Sequence, residues 1–293
     1  QDAGYEDSWL RGDIDLPATV DEDLSTKPGV QEQFRNLFAV TGLLDTPEKK
    51  RNYLNFYGNL MKSSDAYLVE VLDALHARGL HDHTVVIRTA DHGEMGLAHG
   101  GLRQKNFNFY EESLRVPLIF SNRRLYPEAA KSDALVSHVD FLPTLASLFN
   151  APRADARWQG VDYSRKVLHP ESARPPQRYV VFTWDDWQAG QSSGPYLTPP
   201  NHIVSIREER WKLAKYYDAT GNIPTQWEMY DLLTDPLEST NLAWRDYPRT
   251  LEQEAHFRRL KRRLARIQKT RLQPLPTTDT RSVESHQPPA PSS

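Results

Sequence analysis

The sequence predicts an α/β fold with a small antiparallel β subdomain appended and a helix near the end. Three observations carry that expectation. Tyr57, Leu60, Met61, Leu68, Val71, Leu72 and Leu75 recur at helical spacing and lead into a short apolar run, Thr84-Val-Val-Ile-Arg-Thr89. A long helix feeding a buried strand suggests a layered βα architecture with a parallel sheet. Past Asn150, short apolar runs follow one another between turn residues, as antiparallel strands do. Finally, Leu260, Leu264 and Ile267 form one apolar stripe in an otherwise basic segment, which reads as a docked amphipathic helix.

Composition limits the alternatives. A chain of 293 residues, 38% hydrophobic and 26% charged, can bury a substantial core. A net charge of -3 gives no global basic field for nucleic acid. No apolar run approaches the roughly 20 residues of a membrane-crossing helix, and there is no signal-peptide apolar stretch at the start. Without cysteine the chain has no disulfides, thiolate metal sites or cysteine nucleophile. It opens on QDAGYEDSWLRGDIDLP, with no initiator Met. That opening reads as a fragment of something longer.

In chain order, residues 1–46 are expected to be extended, with acids and prolines such as Pro17 and Pro28 and little periodicity. Pro47 suits the first turn of the long helix, and Gly79 closes it. Leu80-His-Asp-His83 connects to the first strand, whose end delivers Asp91 to the edge where such sheets bind ligands. Arg115–Phe120 is a second strand and Asp140–Phe149 a helix with Pro143 near its start. Strands are expected at Tyr179–Thr183, Ile203–Arg207, Trp211–Tyr216 and Met229–Leu232. Leu251 to about Arg271 is helical, and the Pro/Ser/Thr-rich end is expected to be disordered. The expected division is 1–46, 47–160, 161–250, 251–272 and 273–293.

Ala90-Asp-His-Gly-Glu-Met-Gly-Leu-Ala-His-Gly100 concentrates chemistry. Asp91 and His92 offer an oxygen and a nitrogen to a divalent cation, and Gly93 permits the turn they need. The bland alternative is a turn aspartate beside a solvent-facing histidine. A cation also needs about four to eight ligands, so others must come from elsewhere. Next, His99-Gly-Gly-Leu-Arg-Gln-Lys105 places Arg103 and Lys105 beside two glycines. Near a metal pair, that suits a tetrahedral oxyanion, sulfate or phosphate. Otherwise it is a solvated turn. His81-Asp-His83 is better read as a polar turn than a chelate. Trp184-Asp-Asp-Trp187 could stack on a sugar or pack between domains. The stretch His256–Ile267 could touch nucleic acid, but its apolar stripe favours docking.

Together, TVVIRTADHGEMGLAHG, Lys105, YEESLRVPLI from Tyr110, VDFLPT from Val139, IREERWKL from Ile206 and MYDLLTDPLE from Met229 resemble the C-terminal half of the sulfatase family. That family belongs to the alkaline-phosphatase-like superfamily, and the resemblance covers roughly residues 47–245. It implies a partial sulfatase sandwich with the small β subdomain and terminal helix. It implies that Asp91 and His92 bind a divalent metal, His92 replacing an Asn found in many members. Calcium is the family default, while some members with His here use manganese or zinc. Lys105 would bind the sulfate or the leaving-group oxygen, with Arg103 a weaker candidate because the Asp91-to-Lys105 spacing is one residue longer than in many members. His99 matches a recurring family histidine, structural or near substrate, and stands with Lys105 as a catalytic candidate.

The family nucleophile is a formylglycine made from Cys or Ser in a C/S-x-P-x-R motif. No such motif occurs in these 293 residues. The resemblance therefore implies that the nucleophile and further metal carboxylates lie upstream, and that the isolated chain lacks sulfatase activity. The implied substrate is a sulfate ester of a small molecule or glycan, with no nucleic acid and no membrane span. The alternatives are a phosphodiesterase or phosphonate monoester hydrolase of the same superfamily, or a non-catalytic glycan-binding module using Trp184 and Trp187.

Overall fold

A computed structural model describes residues 14–39, 44–151, 158–186 and 197–272. After a 3-10 turn at Leu24–Thr26 come α1 (Gly29–Ala39) and α2 (Pro47–Ala77). Strands β1 (Val86–Thr89) and β2 (Leu118–Ser121) flank a long loop. That loop contains two single turns, α3 (Ala98–Gly101) and α4 (Glu111–Leu114). Helices α5 (Phe141–Leu148) and α6 (Ser164–Leu168) precede β3 (Tyr179–Trp184), β4 (His202–Glu208), β5 (Trp211–Tyr217) and β6 (Gln226–Asp231). Helix α7 (Leu251–Thr270) follows. Trp187 and the 273–293 tail lie outside the described residues.

The expected parallel sheet is corrected. β1 and β2 pair antiparallel, with Val86 opposite Ser121 and Thr89 opposite Leu118. A parallel pair needs a crossover that returns the chain to the starting end. Here the loop 90–117 turns the chain back on itself, and no long helix intervenes. The four-stranded sheet has the expected antiparallel character, in the order β3-β4-β5-β6. α1, by contrast, begins where only loop was expected; Val30, Phe34 and Leu37 at helical spacing were its signal.

Alternation along the small sheet explains its position. Val204, Ile206, Trp211, Leu213 and Met229 face α7 and pack with Leu260, Leu264 and Ile267. Ile203, Ala214, Tyr216 and Tyr230 face the other way, toward Val30, Phe34, Phe107 and Tyr110. The sheet is thus a middle layer between α7 and the loop that carries the candidate site. α7 is firmly capped. The Thr250 hydroxyl accepts from the Gln253 N–H at 3.2 Å, while the Gln253 side chain accepts from the Thr250 N–H. Leu264→Ala is expected to cost about 2–5 kcal/mol, read as a lowered denaturant midpoint. A change below about 1 kcal/mol would show that α7 contributes little to the core.

α2 is capped by Thr46, whose hydroxyl accepts from the Lys49 N–H, and Pro47 opens its first turn. Gly79, at φ +64, follows its end. Of its 31 residues, only Leu54 and Asn59 are buried. Met61, Tyr67, Val69 and Val71 are each more than half exposed.

Candidate active site

Asp91 follows β1 by two residues, at the strand's end. Its carboxylate is exposed, and one oxygen accepts the His92 N–H at 2.9 Å. The His92 ring places Nδ1 2.8 Å from the Gly93 carbonyl oxygen. A carbonyl only accepts, so Nδ1 carries a proton, and in the neutral ring Nε2 is the nitrogen with the lone pair. That Nε2 lies 3.4 Å from the other Asp91 oxygen. In the neutral ring that nitrogen and the carboxylate oxygen beside it fit two positions of one cation. They fit only part of a site, since no group of three or more His, Asp or Glu that could hold a metal occurs among the described residues.

Gly93 is where this turn meets the rest of the fold. Its N–H donates to the Ser113 carbonyl at 2.8 Å, and a Cβ there would stand 1.9 Å from the Glu112 carbonyl oxygen. Only glycine permits that approach.

The loop from Glu94 to Lys105 holds Leu97, His99 and Gln104 at positive φ, a conformation that side chains resist. Glu94 braces it. One carboxylate oxygen accepts from the Gln104 N–H at 2.7 Å, the Gly96 N–H at 3.3 Å and the Tyr53 hydroxyl at 3.2 Å. Burial first, and the Glu94 charge second, push the Tyr53 hydroxyl well above its usual range, so it stays a donor. Thr19 ties down the far side, accepting from the His99 and Gly100 N–H groups. Lys105, half-buried, follows the residue that Glu94 holds. The Arg103 guanidinium sits 5.8 Å from the Tyr53 ring centroid. Arg103 also lines a cavity of about 390 Å³ with Gly100, Gly101 and Lys50.

His99 is fully buried. Its Nδ1 donates to Glu22 at 2.8 Å, its Nε2 lies 3.5 Å from Glu112, and its ring stacks 3.6 Å from Tyr110. Burial pulls its pKa down, but Glu112 and Glu22 more than offset that and hold it above the ordinary value. The proton on His99 therefore stabilises the fold fully below about pH 6.5, and that contribution is lost as pH rises through the elevated folded pKa. The stability gap between wild type and His99→Gln should narrow from pH 6 to pH 9 in thermal melts. A constant gap would remove the charge from this account.

Beneath the loop lies a buried ionic layer that no motif announced. Lys212, fully buried, sits 3.0 Å from Glu111 and 2.8 Å from Glu238, and donates to the Phe109 carbonyl at 2.6 Å. Lys27 pairs with Glu22 at 3.0 Å and donates to the Tyr230 hydroxyl and the Glu238 carbonyl. The signal was present: Glu111 lies in the YEES motif and Glu238 ends MYDLLTDPLE, but neither string gives a role to its acid. Trp184 packs against Phe107, with ring centroids 5.4 Å apart. His81 and Asp82 pair at 3.0 Å within a 3-10 turn, matching the polar-turn reading.

A four-stranded antiparallel sheet backed by α7, with a two-stranded antiparallel pair and the helices around it, gives the chain a mixed α/β architecture. Residues 22–151 match the family model described as Sulfatase, and residues 99–270 match N-sulphoglucosamine sulphohydrolase, C-terminal. The second match alone covers more than half of the chain: this chain belongs to the sulfatase family. The delta 4,5-hexuronate-2-O-sulfatase of Bacteroides thetaiotaomicron is 30% identical over 198 residues, 67% of this chain and 38% of that protein. A solved 2-O GAG sulfatase superposes with a TM-score of 0.67 at 25% identity, covering 86% of this chain and 52% of that one. The phosphonate monoester hydrolase of Silicibacter pomeroyi shares the fold, with a TM-score of 0.66 at 21% identity over 91% of this chain and 52% of that one. The chain spans well under half the length of the curated relatives it matches.

Proposed function

We propose that this chain contributes the metal- and sulfate-binding side of a sulfatase site, which hydrolyses a sulfate ester of a sugar or other small molecule. The observation that carries this reading is His92: its Nδ1 is committed to the Gly93 carbonyl, and its Nε2 is left beside the Asp91 carboxylate. Asp91 and His92 hold the cation. We assign it as calcium, with manganese or zinc the alternatives that a ring nitrogen would favour. When bound, the ion screens charge developing on the sulfate oxygens.

Lys105 donates to the sulfate or to the bridging oxygen as the alcohol departs, and Arg103 is the secondary cation. His99, sealed between Glu22 and Glu112, positions the loop rather than touching substrate. Names of relatives that act on hexuronate and N-acetylglucosamine sulfates support a sulfated sugar as substrate. A formylglycine would have to come from polypeptide other than these 293 residues, which contain no C/S-x-P-x-R motif. Exposed apolar side chains on α2, with Ile119 and Leu142, support contact with further polypeptide.

The test is aryl-sulfate turnover. The chain alone is expected to show none, and the chain joined to a segment carrying the motif is expected to turn over. Turnover by the chain alone contradicts the assignment. Faster hydrolysis of a phosphonate monoester than of a sulfate ester would favour the phosphonate reading.

A further inference from the structure

We propose that His138 is a positioning residue for the cation site: it pins the backbone immediately before Asp91 and so sets where the Asp91 and His92 ligands point. Its role in catalysis rests on the reading of Asp91 and His92 as cation ligands; the contact itself is independent of that reading. His138 Nε2 lies 2.8 Å from the Ala90 carbonyl oxygen, although 48 residues separate the two in sequence. A carbonyl only accepts, so Nε2 carries a proton and donates.

The bond falls where the sheet stops holding the chain. Thr89 opposite Leu118 is the last pair of the β1–β2 ladder, and Ala90 comes next. A peptide group is planar, so a fixed Ala90 carbonyl also fixes the direction in which Asp91 leaves the strand. On the far side of the ligand pair, the Gly93 N–H donates to the Ser113 carbonyl at 2.8 Å. Asp91 and His92 are thus carried between two backbone anchors. Ligands held this way lose less freedom when a cation arrives.

His138 can anchor the turn because its own platform is braced. It opens a 3-10 turn, His138–Asp140, which ends in a buried carboxylate. Asp140 accepts from the Ser137 N–H at 2.8 Å, the Val161 N–H at 2.8 Å and the Gln177 amide at 2.6 Å. Gly160 packs against this turn so tightly that a Cβ would stand 1.9 Å from the Val139 carbonyl oxygen. The His138 ring itself is exposed, so it can be exchanged without opening the core.

The test is calorimetric titration of the assembled enzyme with calcium and, separately, manganese, beside amide hydrogen exchange in the full chain. His138→Phe keeps a ring without a donor and is expected to weaken cation binding about tenfold, with the thermal midpoint unchanged. His138→Gln, whose amide nitrogen reaches about as far as Nε2, should bind within about threefold of wild type. His138→Asn is too short to reach and should match H138F. Wild-type affinity in H138F overturns the proposal, and so does a loss in H138Q equal to that in H138F. In the full chain, H138F should speed exchange at the Asp91, His92 and Gly93 amides by about threefold to tenfold and leave β4 and β5 unchanged. Unchanged exchange at those three amides overturns the anchor. Faster exchange in H138F, with no cation bound by the wild type, would instead overturn the cation reading and leave the anchor standing.

Discussion

Lys105→Ala is expected to lower kcat for sulfate-ester hydrolysis by about 10²–10³-fold in the assembled enzyme, with the fold intact. The size follows from removing a preorganised charge that meets developing negative charge at the departing oxygen. Lys105 is only half-buried, unlike the sealed Lys212, so its loss should leave unfolding midpoints nearly unchanged. Arg103→Ala should cost less, because its guanidinium lies by the Tyr53 ring and the cavity beyond Gly100. A larger loss for Arg103→Ala than for Lys105→Ala would transfer the sulfate-binding role to Arg103, as the longer spacing would allow. Lys105→Arg should retain more activity than Lys105→Ala if charge alone matters, since a guanidinium keeps the charge but changes its placement.

The second large effect concerns stability. Lys212→Met is expected to destabilise the protein by about 3–5 kcal/mol, because it leaves buried carboxylates without their cation. Glu238 is the most exposed to that loss: burial already pushes its carboxyl above the usual range, and Lys212 is the main influence opposing it. Burial also opposes ionisation of Glu111, yet Lys212 and Arg207 hold its carboxyl below the usual range. Arg207 remains to compensate Glu111 in the variant, so the penalty should concentrate on Glu238. Denaturant unfolding measures it directly. A loss below about 1 kcal/mol would mean that the carboxylates are neutral or relaxed to water, and that this layer is not held by charge. Replacing Lys212 and Glu238 together should cost less than the sum of the single changes.

Much of this was readable in the residues. Pro47 and Gly79 mark α2 because a helix's first turn and its left-handed closure are local requirements, and local chemistry is visible in sequence. The stripe Leu260, Leu264 and Ile267 shows its docking face for the same reason: the helical period alone brings those side chains together. Asp91 and His92 stood out as adjacent donors, but their tautomer did not, because it depends on where the Gly93 carbonyl points. Strand direction was less legible. The run Thr84–Thr89 reads as a buried strand whatever its partner, and only the path of residues 90–117 makes β1 antiparallel to β2. The ionic layer was least legible of all. Lys27, Lys212 and Glu238 meet across separations of up to 211 residues, and each alone resembles an ordinary surface charge. His99 illustrates both sides. Its place in the glycine-rich string marked it, while its burial between Glu22 and Glu112 required the fold.

The most direct measurement of the central claim is sulfate release from a sulfated sugar by the assembled enzyme, comparing wild type with Asp91→Asn and His92→Ala under added calcium, manganese and zinc. The account requires both variants to lose about a hundredfold or more in kcat/KM, with at least part of the His92→Ala loss recovered as metal concentration rises. Wild-type rates in both variants, independent of metal, would contradict it.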